Sequence, residues 1–159
     1  MAGGSRVVTK RLSVVASNVA AHISEVSRDA WERILAEIPQ LRGDEIILNI
    51  LKAGVEENIS TMLHVFENDM PLENVEGPAS ALDYARRLAQ RNVPISALIR
   101  AYRIGHCRYL QWCLDELHRQ EPDAEEAMGH PLHERRTDLE VALLAVQYLG
   151  SPLLLPAVP

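Results

Sequence analysis

Tyr102, His106 and Tyr109 are the side chains best spaced to bind a small molecule, because they follow one another at steps of four and three residues. At about 3.6 residues per turn, these steps place all three on one face of a helix. An imidazole between two phenols is suited to line a pocket inside a helical bundle and to hydrogen-bond a ligand there. The same face is also what core packing requires, because a histidine on an apolar helix face is usually buried and hydrogen-bonded to a neighbour.

Arg100 and Arg103 on the same helix are candidates for binding an anion. Residues 84–119 contain seven arginines and two acids, whereas residues 45–83 contain eight acids and only Lys52 as a base. A guanidinium group recognises a carboxylate or phosphate through two parallel hydrogen bonds. We therefore expect either a site for an anion or an acidic partner around Arg100 and Arg103, or exposed ion pairs of little energetic weight.

The spacing of histidines and cysteines does not predict a metal site. His106 and Cys113 lie seven residues apart and share a helical face, but two ligands do not complete a metal site. His130 and His133 fall in a predicted loop, where two solvated histidines are the ordinary interpretation. We expect no metal and no cofactor.

The histidines also suggest haem as an alternative cofactor. His22, His64 and His106 each lie on a predicted helix, so each is a possible axial ligand. The macrocycle needs a large apolar and aromatic pocket, which a chain with one phenylalanine supplies poorly. The sequence also lacks the motifs of common enzymes, such as a glycine-rich phosphate loop, His-Glu-x-x-His or Gly-x-Ser-x-Gly. We therefore predict no catalytic residues.

Apolar residues at steps of three and four predict helices along the whole chain, and no strand pattern occurs. The first helix is predicted over 7–26, as a narrow stripe suited to a seam inside the domain or across a dimer. Ser27 is the predicted N-cap of a second helix that stops at Pro39, and Asp44 is the predicted N-cap of a third that runs to about Asn68.

The second half of the chain predicts three further helices. One begins near Ala81 and ends at Asn92, where a tight turn leads into a long helix that starts at Ile95. A final helix is predicted over 134–149. The fold class is therefore all-α, a single-domain bundle of five to six helices over residues 1–150, followed by the proline-rich segment 151–159 as the start of a linker or tail.

The turn between the helix that ends at Asn92 and the helix that starts at Ile95 lies in a part of the sequence that resembles a known family. The segments Arg86–Gln90, Val93-Pro94 and Leu98–Gly105 resemble the N-terminal domain shared by RsbT co-antagonist proteins and PucR-type transcriptional regulators. Ile38-Pro39 and Trp112 support the match more weakly.

The resemblance implies a globin-like helical arrangement without haem, with a simpler up-down bundle as the second choice. Family members commonly have a glycine before the Val-Pro turn, where this chain has Arg91-Asn92. Asparagine tolerates the left-handed conformation, so we expect the turn to be retained. Members usually continue into an output domain, which suggests that the chain is part of a longer regulator.

Composition and charge limit the cellular compartments and the classes of binding partner that we expect for this protein. The formal net charge is −6, which argues against a nucleic-acid surface. Cys107 and Cys113 point to different helix faces and are expected to be reduced thiols. No apolar run approaches the roughly 20 residues that span a bilayer, so we expect a cytoplasmic protein without membrane contact.

These observations predict a non-catalytic sensory and dimerisation module of a bacterial transcriptional or stress-response regulator. It would pass a ligand or partner signal to an attached output domain or a regulatory protein partner. Two alternatives remain open. One is a haem or small-molecule sensor whose ligand contacts Tyr102, His106 and Tyr109, and the other is a pure assembly domain that forms a homodimer.

Overall fold

The computed structural model describes residues 2–71 and 79–120, with side chains from residue 9 onward. These residues form five α-helices and one short 3-10 turn, and no strand occurs among them, so the predicted all-α fold class is confirmed. The helices are α1 (Ala2–Ala20), α2 (Ile23–Glu37), α3 (Glu45–Glu67), α4 (Ala79–Gln90) and α5 (Ile95–Arg119), with the 3-10 turn at Pro39–Leu41. The predicted helix over 134–149 and the predicted linker over 151–159 lie outside the described residues.

The ends of α3 confirm the predicted N-cap at Asp44 and the predicted end of the helix near Asn68. The Asp44 side chain accepts a hydrogen bond from the Ile47 amide at 3.0 Å, which satisfies one of the free amides of the first turn. Asn68 is the C-cap, and Asp69 follows it in the left-handed region with φ of 50°. The helix therefore ends where a short polar side chain can adopt that conformation.

The turn between α4 and α5 also forms as predicted. Asn92 has φ of 57°, and the Val93 amide donates to the Leu88 carbonyl at 3.0 Å. The Asn92 amide donates to the Ala89 carbonyl at 3.1 Å, which completes a Schellman motif. Pro94 is the N-cap of α5, so the chain leaves one helix and enters the next within a few residues.

The predicted helix over 7–26 is wrong, and so is the predicted N-cap at Ser27. The chain turns at Ala21-His22, and Ser27 lies buried inside α2. Val19 and Val26, on either side of this turn, are both buried in the same apolar cluster. Because the stripe continues through the bend, and neither glycine nor proline marks it, periodicity alone predicts one helix.

The helices enclose two apolar clusters that α2, α3 and α5 connect. The first cluster contains Val19, Val26, Met62 and Leu117 among its buried residues. The second cluster contains Ile38. Helix α2 packs against both α3 and α5, and so does α4, while α1 packs against α3 and α5. The stripe on α1 is thus used inside the domain.

This arrangement is a helical bundle, and the globin-like connectivity stays a prediction. Within residues 2–71 and 79–120, none of the helices is both long and apolar enough to cross a bilayer.

Candidate functional site

A cavity of about 60 Å³ lies where the two apolar clusters meet, between α2, α3, α4 and α5. Its wall is almost entirely apolar and includes Ile34 of α2 and Ala81 of α4. Helix α5 contributes Tyr102, His106 and Tyr109, so the structure brings these three predicted site residues together. Their imidazole and phenol groups are the polar exceptions on the α5 side.

Buried polar atoms without partners concentrate at this cavity. Among the described residues, four buried side-chain atoms lack a hydrogen-bond partner, and three of them belong to cavity residues. These three are Asn58 Oδ1 on α3, Tyr84 Oη on α4 and His106 Nδ1 on α5, and the fourth is Ser27 Oγ. Buried polar groups are normally paired, so this concentration makes the cavity the candidate site.

His106 is a buried ionisable group of the wall, with 6% of its surface exposed. Burial lowers the pKa of the imidazole below its usual 6.5. The ring is therefore neutral at physiological pH. It contacts the Tyr109 ring in a tilted arrangement, with the ring centroids 5.6 Å apart.

The tyrosines of the cavity are also neutral. Burial raises the pKa of Tyr84 and of Tyr109 well above the usual value of 10. Burial also raises the pKa of Tyr102, and the Asn58 side chain partly counteracts that increase. The described residues of the wall thus supply hydrogen-bonding groups on several sides of the cavity but no charge.

Two glycines line the cavity in the interior of helices, Gly54 on α3 and Gly105 on α5. A Cβ atom added to Gly54 would lie 3.7 Å from Ser80 Oγ, and one added to Gly105 would lie 3.7 Å from Ile34 Cδ1. Both distances are ordinary van der Waals contacts, and neither glycine has a positive φ. Alanine would therefore fit at both positions, although glycine costs a helix interior about 1 kcal/mol relative to alanine.

Arg100 and Arg103, the other two predicted site residues, lie outside the cavity on the exposed surface of α5. Arg100 Nη2 lies 3.6 Å from Glu37 Oε2 on α2. The structure therefore does not bring these two arginines together with the aromatic group around His106.

A polar contact that the sequence did not indicate joins α2 to α5. Asp29 accepts hydrogen bonds from Arg108 Nε and Nη2, both at 2.9 Å, and from Trp112 Nε1 at 3.0 Å. The bidentate arrangement fixes the relative position of the two helices next to the first apolar cluster. Its signal in the sequence was only an acid on one predicted helix and an arginine on another, which does not identify a pair.

A second polar contact joins α5 to α1 near the end of α5. Glu116 is buried and accepts from Asn18 Nδ2 at 2.7 Å and from Gln120 Nε2 at 2.9 Å. Burial alone would raise the pKa of this carboxyl group, but the hydrogen bonds from Gln120 and Asn18 and the charge of Arg119 together lower it. Glu116 is thus held as a carboxylate between the two helices.

The histidines and cysteines that we considered as ligands of a metal or of haem do not form one site. His22 and His64 are exposed, whereas His106 lines the cavity. Cys107 is exposed and Cys113 is buried, and burial raises the pKa of the Cys113 thiol to about 12. In the part of the chain that the structure describes, no three potential metal ligands cluster. His130 and His133 lie outside that part.

The family relationship follows from a match that covers most of the chain. The family model of the RsbT co-antagonist protein rsbRD N-terminal domain matches residues 24–145. The chain belongs to this family. The match to the RsbT co-antagonist family includes α2 to α5 and therefore every helix that lines the cavity. No curated protein and no solved structure matches the chain.

Membership in the RsbT co-antagonist family identifies the chain as a stress-response regulatory domain. The cavity residues that sequence reasoning missed are Asn58, Tyr84 and the two glycines. The available signal was Gly54, which interrupts the apolar stripe of α3 one turn before Asn58.

Proposed function

We propose that this domain is a non-catalytic sensory module in which a small molecule, bound in the cavity, controls the packing of the helices. The observation that carries the proposal is the set of three unpartnered buried atoms, Asn58 Oδ1, Tyr84 Oη and His106 Nδ1, on three helices around one apolar space. Apolar cavities with a few well-placed polar groups are typical ligand sites.

The arrangement of the helices supports a route for the signal. A ligand in the cavity would contact α3, α4 and α5 together, and would favour the helix arrangement that it binds more tightly. Helix α5 carries Arg108, which is paired to α2, and Glu116, which is hydrogen-bonded to α1. A shift of α5 would therefore reach both of these helices.

The module would pass this shift to an output domain or to a regulatory partner protein in the cytoplasm, as part of a homodimer. We place no catalytic step in the domain. Arg100 and Arg103, which are exposed on α5, are proposed as part of the surface that a partner reads.

Haem is disfavoured as the ligand by the size of the cavity. A volume of about 60 Å³ is far below the roughly 300–1,000 Å³ of sites that enclose larger ligands. A macrocycle would require α3 and α5 to separate, and His106 would then have to serve as the axial ligand.

A screen by NMR tests the proposal. The full chain labelled with ¹⁵N would be exposed to small molecules that include cations, anions and uncharged compounds, and its association state would be followed by sedimentation velocity. We expect at least one compound to shift the amides around the cavity and to change the association state. If every compound leaves those amides unchanged, the domain is an assembly module without a ligand.

A further inference from the structure

We infer that the cavity selects a small, uncharged and mainly apolar molecule that carries a hydroxyl group, and that Gly54 and Gly105 keep the space for it open. This inference rests on the proposed function, since it names the class of ligand that the sensory site takes. Three independent properties of the wall lead to it, namely its charge, its hydrogen-bonding groups and its volume.

The charge of the wall excludes ionic ligands. All the described residues that line the cavity belong to uncharged types, and among them His106 alone titrates near neutral pH. An ion that leaves water for an apolar space needs an opposite charge or several hydrogen bonds to compensate for its lost hydration. Among residues 2–71 and 79–120, no carboxylate, guanidinium or ammonium group lines the cavity to offer that compensation.

The hydrogen-bonding groups favour a hydroxyl. Asn58 Nδ2 donates to the Gly54 carbonyl at 2.7 Å, which fixes the orientation of the amide and leaves Oδ1 as an acceptor that needs a donor. The Tyr84 hydroxyl group is unpartnered and needs an acceptor for its proton. A hydroxyl group is the simplest function that both donates and accepts, so one ligand atom can serve either protein group.

The volume limits the ligand to a few non-hydrogen atoms. At about 60 Å³ the cavity is smaller than the engineered cavity of about 150 Å³ that accepts benzene. Gly54 and Gly105 contribute to this space, because an added methyl group at either position would meet neighbours at van der Waals distance without a clash. Neither glycine has a positive φ, and an added Cβ would make only an ordinary van der Waals contact, so the backbone does not require glycine at either position.

Two isomers and a charged analogue test the inference. The full chain labelled with ¹⁵N would be titrated with 1-butanol, with its isomer diethyl ether, which cannot donate a hydrogen bond, and with butanoate. We expect 1-butanol to shift the cavity amides in a saturable way, with a Kd in the micromolar to millimolar range set by its few atoms. Diethyl ether should bind about tenfold more weakly or worse, since it leaves Asn58 Oδ1 unpartnered. Butanoate should not shift these amides.

A matched pair of variants tests the role of the glycines. Gly105→Ala should weaken 1-butanol binding by about tenfold or more, because the new methyl group occupies part of the space and the ligand must be accommodated elsewhere. Ser60→Ala on the exposed side of α3 raises helix propensity without reaching the cavity, and should leave the Kd unchanged. Retained NMR dispersion would show that both variants fold.

The outcomes separate the two proposals. Equal binding of the ether or of butanoate overturns the assignment of the ligand class, and an unchanged Kd in Gly105→Ala overturns the role assigned to the glycines. In each of these cases, saturable binding in the cavity leaves the sensory function standing. If 1-butanol fails to bind but another compound shifts the same amides, the class is again wrong and the function stands. If no compound of any charge reaches the cavity, which then holds water alone, both proposals fail.

Discussion

His106 places a titratable ring in a largely apolar cavity, so proton uptake by this ring opposes folding. Its pKa in the folded protein lies below the usual 6.5 because burial penalises the charged ring. The unfolded chain therefore binds the proton more readily. The contribution of His106 to the free energy of unfolding should be constant above about pH 6.5. It should fall as the pH decreases towards the pKa of His106 in the folded protein, with a slope of at most about 1.4 kcal/mol per pH unit.

Urea unfolding at several pH values between about 7.5 and 5 measures this slope. We expect His106→Gln to show a shallower loss of stability on acidification than the natural chain. His64→Gln provides the control, because His64 is an exposed histidine on α3. An equal acid sensitivity of the natural chain and His106→Gln would contradict the prediction.

The residues of the cavity differ in how far the sequence predicts them. Tyr102, His106 and Tyr109 fall on one face of a single helix, so their spacing places them together. Asn58 and Tyr84 lie on two other helices, and their approach to His106 depends on how α3, α4 and α5 pack. Periodicity assigns each of them to a helix but contains no information about which helices meet.

The turn between α4 and α5 depends on one backbone conformation at Asn92. With φ of 57°, this residue lies in the left-handed region, which glycine adopts without strain and alanine does not. We expect Asn92→Ala to destabilise the domain by about 1 kcal/mol and Asn92→Gly to be close to neutral. Thermal unfolding followed by circular dichroism would rank the three proteins, and a Tm of Asn92→Ala equal to that of Asn92→Gly would sink the idea.

The contact of Asp29 with Arg108 and Trp112 should stabilise the pairing of α2 with α5. Asp29→Asn keeps the shape of the side chain but removes the charge that both donors share, and we expect a loss of about 1 kcal/mol in the free energy of unfolding, given the partial exposure of the pair. Asp83→Asn is the matched control. Asp83 pairs with Arg87 on the surface of α4, one turn away, where such pairs contribute only about 0.3–0.5 kcal/mol.

Urea unfolding of both variants compares the two contacts directly. Equal losses for Asp29→Asn and Asp83→Asn would show that the contact between helices has no special weight.

The elements themselves were mostly predictable, and the exception has a physical cause. Asp44, Asn68 and Pro94 mark helix ends through local chemistry, since each satisfies or limits backbone groups close to it in the chain. The turn at Ala21-His22 has no such residue. It is stabilised by the burial of Val19 and Val26 against other helices, which is a tertiary effect that a helical stripe cannot show.

At the scale of the whole molecule, the cavity separates two well-packed regions of one bundle. Val55 and Tyr102 pack against both apolar clusters, so the cavity lies between regions that could move relative to each other. A ligand that contacts several helices at this junction would change the packing of both regions. Filling the junction with protein atoms would instead make the bundle more stable and less responsive.

This trade-off gives the last prediction, which concerns the double variant Gly54→Ala, Gly105→Ala. Each alanine adds helix propensity and fills part of the apolar cavity, so the Tm should increase by roughly 4–8 °C if each substitution contributes about 1 kcal/mol. Gly43→Ala is the opposite control, because its Cβ would lie 2.7 Å from Ile47 Cβ and should lower the Tm. A lower Tm in the double variant would mean that the two glycines serve helix packing, whereas a higher Tm with a lost response to ligand would mean that the open volume is retained for binding at the expense of stability.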